Sequence, residues 1–145
     1  MLKAGSILAL FVVVSIAIVG CGGQSLPGPE PQPVHGKLIY RGRPAHGFRV
    51  AFHPLGAQKG PRFAPSAMTD ENGEFHLQSY RPGDGAPIGD YAVTFEAPQA
   101  STNGDPNDAP QFVDQLHGKL NNPATSKFKV TVREGENQLE PFDVK

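Results

Sequence analysis

Five histidines, one cysteine and a short cluster of oxygen-bearing side chains are the residues of this chain whose types suit chemistry. His35, His53 and His76 each fall on the polar phase of a different predicted strand. They converge only if those strands are neighbours in one sheet. A preformed transition-metal site is announced in sequence by His-x-His, His-Glu-x-x-His or paired thiolates. The chain has none of these, and Cys21 is its sole thiol. The histidines therefore read as exposed strand residues, with no metal ion expected. Asp70-Glu71-Asn72-Gly73 alternates oxygen ligands as the start of a calcium loop does. Such a loop closes with a bidentate Glu at position 12, and here that place is taken by Arg81. The run reads instead as a hairpin turn, with Gly73 supplying positive φ and Asp70 bonding nearby backbone. No Gly-x-Ser-x-Gly elbow or phosphate-cradling glycine loop occurs. Gly83-Asp84-Gly85-Ala86-Pro87 is too interrupted by Pro to open a helix, so it reads as a connecting loop. The expectation is a chain that is not an enzyme, with no catalytic residues and no cofactor.

Cys21 has another use. Lys3 gives a positive start, and Ile7 to Val19 carries no charge. That run is about 13 residues, a signal-peptide length, where a transmembrane helix needs about 20. Ile18-Val19-Gly20-Cys21 resembles the lipobox of bacterial lipoproteins. The resemblance implies that 1–20 is a cleaved signal peptide and that diacylglycerol is attached to the Cys21 thiol. The protein is then exported and lipid-anchored to the cell envelope, with the membrane as its first partner. Residue 22 is Gly, not the Asp that retains some lipoproteins at the inner membrane. The outer membrane is favoured if the host has one. A lone cysteine forms no intramolecular disulfide, so the fold must hold by packing.

Composition sets the architecture that must position any site. Lys and Arg number 13 against 14 Asp and Glu, without a basic run, which points away from nucleic acid. The 17 Gly and 15 Pro favour short strands and frequent turns over long helices. Residues 21–33 read as the lipidated Cys and a Pro-rich linker, since Pro27, Pro29, Pro31 and Pro33 forbid a helix or a central strand. Twelve extended residues reach on the order of 35 Å. From Val34 the pattern has period two. Val34, Gly36, Leu38 and Tyr40 share one phase; so do Phe48, Val50 and Phe52, then Phe75 and Leu77, Tyr91, Val93 and Phe95, and Phe128, Val130 and Val132. Ser66 to Thr69 pairs naturally with Glu74 to Gln78, and Gln138 to Val144 forms a last strand that Pro141 marks as an edge or a bulge. The fold class is all-β, a seven-stranded antiparallel β-sandwich over 34–145. A loop at 97–125, about 29 residues without strand pattern, is the one departure. Asp108, Pro110, Phe112, Leu116 and Gly118 predict a short helix there, from about Ala109 to His117.

Several motifs then resemble one family. Val34-His35-Gly36-Lys37-Leu38 with Gly42-Arg43-Pro44-Ala45, the Thr69-to-Phe75 turn, and Pro87-Ile88-Gly89-Asp90-Tyr91-Ala92-Val93 look like the successive signatures of carboxypeptidase regulatory-like domains. Asn122-Pro123-Ala124-Thr125-Ser126 and Glu134-Gly135-Glu136-Asn137 are similar to the C-terminal half of small bacterial lipoproteins carrying that domain. The resemblance implies a transthyretin-like seven-stranded sandwich serving as a structural or protein-interaction module. A transthyretin-like hydrolase of purine breakdown carries Tyr-Arg-Gly-Ser at its C-terminus. Here Tyr40-Arg41-Gly42 lies in the first strand, is followed by Arg43, and the chain ends Asp143-Val144-Lys145, so that chemistry does not carry over.

Two roles remain for the domain. The first is a non-catalytic envelope module with a protein partner, for which Phe112 and Leu116 in the long loop are the candidate contacts, docking on the sandwich or offering an apolar handle. The alternative is a carbohydrate-binding module. The chain has no Trp, and the strand phase claims most rings for the core, which leaves Phe63 and Tyr80 as candidate glycan platforms.

Overall fold

The computed structural model describes residues 25–56, 64–101 and 109–145. Among the described residues the regular structure is all strand, with no helix. In chain order the strands are β1 (Pro31–Gln32), β2 (Val34–Tyr40), β3 (Arg43–Pro44), β4 (Arg49–Pro54), β5 (Ser66–Met68), β6 (Glu74–His76) and β7 (Ala86–Pro87). They continue as β8 (Gly89–Glu96), β9 (Pro98–Ser101), β10 (Gln111–Asp114), β11 (Lys129–Val132), β12 (Asn137–Gln138) and β13 (Phe142–Val144). One sheet runs β11-β8-β4-β5, antiparallel throughout. The other is built on β2, with β6 and β3 antiparallel along one edge and β12 and β13 parallel along the other. The two sheets close on each other as a β-sandwich.

Period-two patterning makes this core. Val34 and Leu38 of β2 and Phe75 of β6 face Val50 and Phe52 of β4 and Tyr91, Val93 and Phe95 of β8, all at most 2% exposed. Each such side chain contributes about 1.5–3 kcal/mol on burial. Phe142 closes the cluster: its ring lies 5.4 Å from that of Phe95 and 5.7 Å from that of Phe128, edge to face in both pairs. Gly36 is small because Phe75 lies where its side chain would go.

Several expectations need correction. No helix forms from Ala109 to His117. Gln111–Asp114 is β10, and it pairs with β9 as an antiparallel ribbon inside the segment that lacks strand pattern. An exposed two-stranded ribbon has no buried face, so it carries no alternation to read. Asp108, the expected cap, lies outside the described residues. Ser66 to Thr69 and Glu74 to Gln78 do not make a hairpin either. β5 joins β4 and β6 joins β2, so the turn between them crosses from one sheet to the other, with only a Ser66–Gln78 bridge linking its arms. The turn itself is as expected: Asp70 Oδ1 accepts the N–H groups of Asn72 and Glu74, and Gly73 has φ +74°. A side chain at Gly73 would strike the Leu38 carbonyl.

The C-terminal strand is split at Pro141 and runs parallel, not antiparallel, to β2. Pairing also begins upstream of residue 34, because Pro31–Gln32 bonds Ala86–Pro87. The end of the Pro-rich linker is therefore docked, and Gly85 gives room for it beneath Gln32. Finally, the outer phase of β8 is not open: Ala92 is fully buried and Thr94 is 3% exposed. Ala92 lies in register between His53 and Lys129, whose longer side chains flank it, and Thr94 Oγ1 bonds His53 Nε2 at 2.8 Å.

Candidate functional site

The β9–β10 ribbon is the segment that leaves the sandwich. It continues the line of β8 past Ala97, with Phe112 opposite Ala100 and Val113 opposite Gln99. Its base is fixed by one carboxylate. Asp114 Oδ1 accepts the N–H of Ala97 at 2.8 Å and of Leu116 at 3.0 Å, and Oδ2 accepts that of Gly118 at 2.9 Å. Burial alone raises the Asp114 pKa, but those three donors and the nearby His117 outweigh it and hold the group below its ordinary value. His117 and Gly118 follow at φ +51° and +74° as a tight reversal, closed by the Lys119 N–H on the Leu116 carbonyl. The Leu120 carbonyl then accepts from Phe95 N–H, which joins the base to the sheet.

Phe112 and Leu116 are thereby separated. Leu116 turns into the base and is 8% exposed, whereas Phe112 stands on the ribbon at 69% exposed. Val113, the next residue, is 46% exposed and points to the opposite face of the ribbon. Of this pair, Leu116 is buried at the base and Phe112 stands exposed.

The other candidates fall elsewhere. Cys21 and Phe63 lie outside the described residues. Tyr80 is half-buried and its hydroxyl is buried. His53 sits on the β4 sheet; burial first, and then the Arg49 charge, lower its pKa, with Glu96 opposing. His35 and His76, by contrast, are direct cross-strand partners on β2 and β6. Of the Gly83–Pro87 stretch expected as a loop, Ala86–Pro87 is instead β7, paired with β1, and the chemistry of the turn before it is internal. Asp84 accepts the N–H groups of Ser79, Tyr80 and Arg81, so three consecutive donors that suit an anion hold the chain's own carboxylate.

Sequence reasoning missed Asp84 and Asp114, the two organisers of the loops. The available signal was an Asp with Gly one or four residues on, in a segment without strand pattern. Such side chains satisfy backbone donors and so set loop shape.

No family model matches the chain, and no curated protein matches it. Among solved structures it is similar to a 9R-lipoxygenase from Cyanothece PCC8801, at 13% identity and a TM-score of 0.44, covering 84% of this chain and 18% of that one. It is similar to a DUF3823 family protein from Parabacteroides merdae, at 13% identity and a TM-score of 0.39, over 77% of this chain and 45% of that one. A candidate carbohydrate-binding protein from Pseudomonas aeruginosa is matched at 16% identity and a TM-score of 0.41, over 78% of this chain and 88% of that one. The chain thus spans less than half of the first two.

Proposed function

We propose that this is a non-catalytic, lipid-anchored envelope protein whose β-sandwich presents the β9–β10 ribbon to a protein partner. The observation that carries this reading is Phe112, an aromatic ring 69% exposed on a ribbon whose base is fixed by Asp114. Aromatic side chains, Phe among them, are enriched at protein–protein interfaces, and a pre-organised support lowers the entropy lost on association. The lipid anchor rests on the Ile18-Val19-Gly20-Cys21 run, and the family reading rests on the order of the carboxypeptidase regulatory-like motifs along the chain. With Pro31–Gln32 docked, residues 22–30 remain as tether, roughly 28 Å when extended.

The test is capture from the envelope of the native host with the intact lipoprotein as bait. Wild type retains a defined protein, and Phe112→Ser loses it while melting at the same temperature. Equal capture by both forms removes the ribbon from the reading. Binding to a glycan array that Phe112→Ser leaves intact favours the carbohydrate-binding alternative instead.

A further inference from the structure

The outer face of the β2 sheet brings together two residues that lie far apart in sequence. His76 on β6, His35 on β2 and Gln138 on β12 form one cross-strand row. The two imidazole centroids are 5.3 Å apart, with the ring planes at 63°. Glu136 Oε1 lies 2.9 Å from His35 Nε2. The row opens on a groove of about 490 Å³, with Lys37 and Glu74 as the next cross-strand pair along it.

We propose that His35 and His76 chelate one divalent first-row transition-metal ion, with Glu136 as the positioning residue for His35. Metal–nitrogen bonds to imidazole are about 2.0–2.1 Å, which puts two imidazole centroids on a tetrahedral ion roughly 5.2 Å apart. The pair already stands at that separation, on two hydrogen-bonded strands that cannot drift. The lone-pair direction of His76 is set by χ2, a soft torsion, while the His35 ring stays held against Glu136. With its Nε2–H donated to Glu136, His35 keeps Nδ1 as its lone-pair donor. A carboxylate behind a ligating imidazole is the usual arrangement around such ions. Imidazole ligands select zinc, copper and nickel over magnesium and calcium. Among the described residues no three His, Cys, Asp or Glu side chains surround a common point. The two imidazoles are then the protein ligands, and water completes the shell. The Lys37 ammonium opposes a cation and the Glu74 carboxylate, directly across from it, offsets that charge.

The experiment uses the lipid-anchored protein in detergent, in which the acylated Cys21 offers no thiolate, titrated with Zn(II) and separately with Cu(II). The imidazole signals of His35 and His76 are followed by NMR. The proposal predicts one ion per chain and concerted shifts of both rings. His35→Gln and His76→Gln should each weaken binding at least tenfold, and the double variant should lose little more than either alone. Glu136→Gln should cost about tenfold, while His46→Gln and His117→Gln leave affinity unchanged. Far-UV circular dichroism confirms that each variant stays folded. Independent movement of the two rings, or single variants that bind as the parent does, overturns the proposal.

Discussion

The Asp114 carboxylate accepts the Ala97 N–H at 2.8 Å, and this bond ties the outgoing strand of the ribbon to the returning one. Because the same carboxylate also takes the N–H groups of Leu116 and Gly118, Asp114→Ala strands three donors at once. Hydrogen bonds to a charged group are worth about 1.5–3 kcal/mol. The expected effect is local: amide exchange at Leu116 and Gly118 speeds by about tenfold or more, while the core amides of β8 keep their protection. Uniform exchange in the variant and the wild type would mean that the base is held some other way.

The same group gives the ribbon a pH dependence. The Asp114 pKa is lower in the folded chain than when unfolded. Its contribution is therefore complete above the ordinary carboxylate value and is lost as pH falls through the lowered one. Protection at Leu116 and Gly118, taken relative to the intrinsic exchange rate at each pH, should fall on acidification only below about pH 4, and Asp114→Asn should flatten that fall.

Tyr91 supplies the opposite sign. It is 1% exposed, and its hydroxyl donates to the Pro87 carbonyl at 2.7 Å. Burial, with a smaller push from Tyr80, takes its pKa from 10.0 up to about 12. A raised pKa stabilises the fold fully below the unfolded value, and that contribution is lost as pH rises through the folded one. Wild type should lose stability between pH 10 and about 12, and Tyr91→Phe should not show that component. At neutral pH Tyr91→Phe leaves the Pro87 carbonyl without its donor and costs about 1–3 kcal/mol, which thermal melts will read.

Phe112 and Leu116 separate packing from presentation. Leu116→Ala opens space in the base and should cost about 2 kcal/mol, a fall in Tm of roughly 10 °C. Phe112→Ala, at an open surface, should stay within about 0.5 kcal/mol. If the two variants melt alike, the ribbon's base is not packed as described.

For the anchor, Cys21→Ala should move the protein from the detergent phase to the aqueous phase in phase partitioning, with the domain still folded. An unmodified Cys21 thiol in mature native protein, read by mass spectrometry, would show that the anchor assignment is wrong.

The sandwich was legible because half-buried strands alternate, and Val34, Leu38, Val50, Phe52, Val93 and Phe95 all fall on the buried side that period two assigns them. The Asp70–Gly73 turn was legible because its chemistry is local. Pairing was less so. Whether β5 joins β6 or β4 is decided by which sheet needs an edge, and the parallel approach of β13 to β2 depends on the whole closed core. The ribbon was hidden because period-two reasoning sees only a strand with one wet face and one dry face. Phe112 and Leu116 four residues apart fit a helix turn equally well, and what decides for strand is the pairing of β10 with β9. His35 and His76 could not be joined from sequence, since their meeting depends on β6 pairing with β2.

The central claim is that the ribbon is the surface through which this protein meets its partner. It is tested most directly by placing photoreactive benzoylphenylalanine at position 112 of the intact lipoprotein and irradiating cells of the native host, with the same group at exposed Arg81 as the comparison site. The account predicts a discrete protein adduct from position 112 that is absent from position 81. No adduct at 112, or the same adducts from both positions, contradicts it.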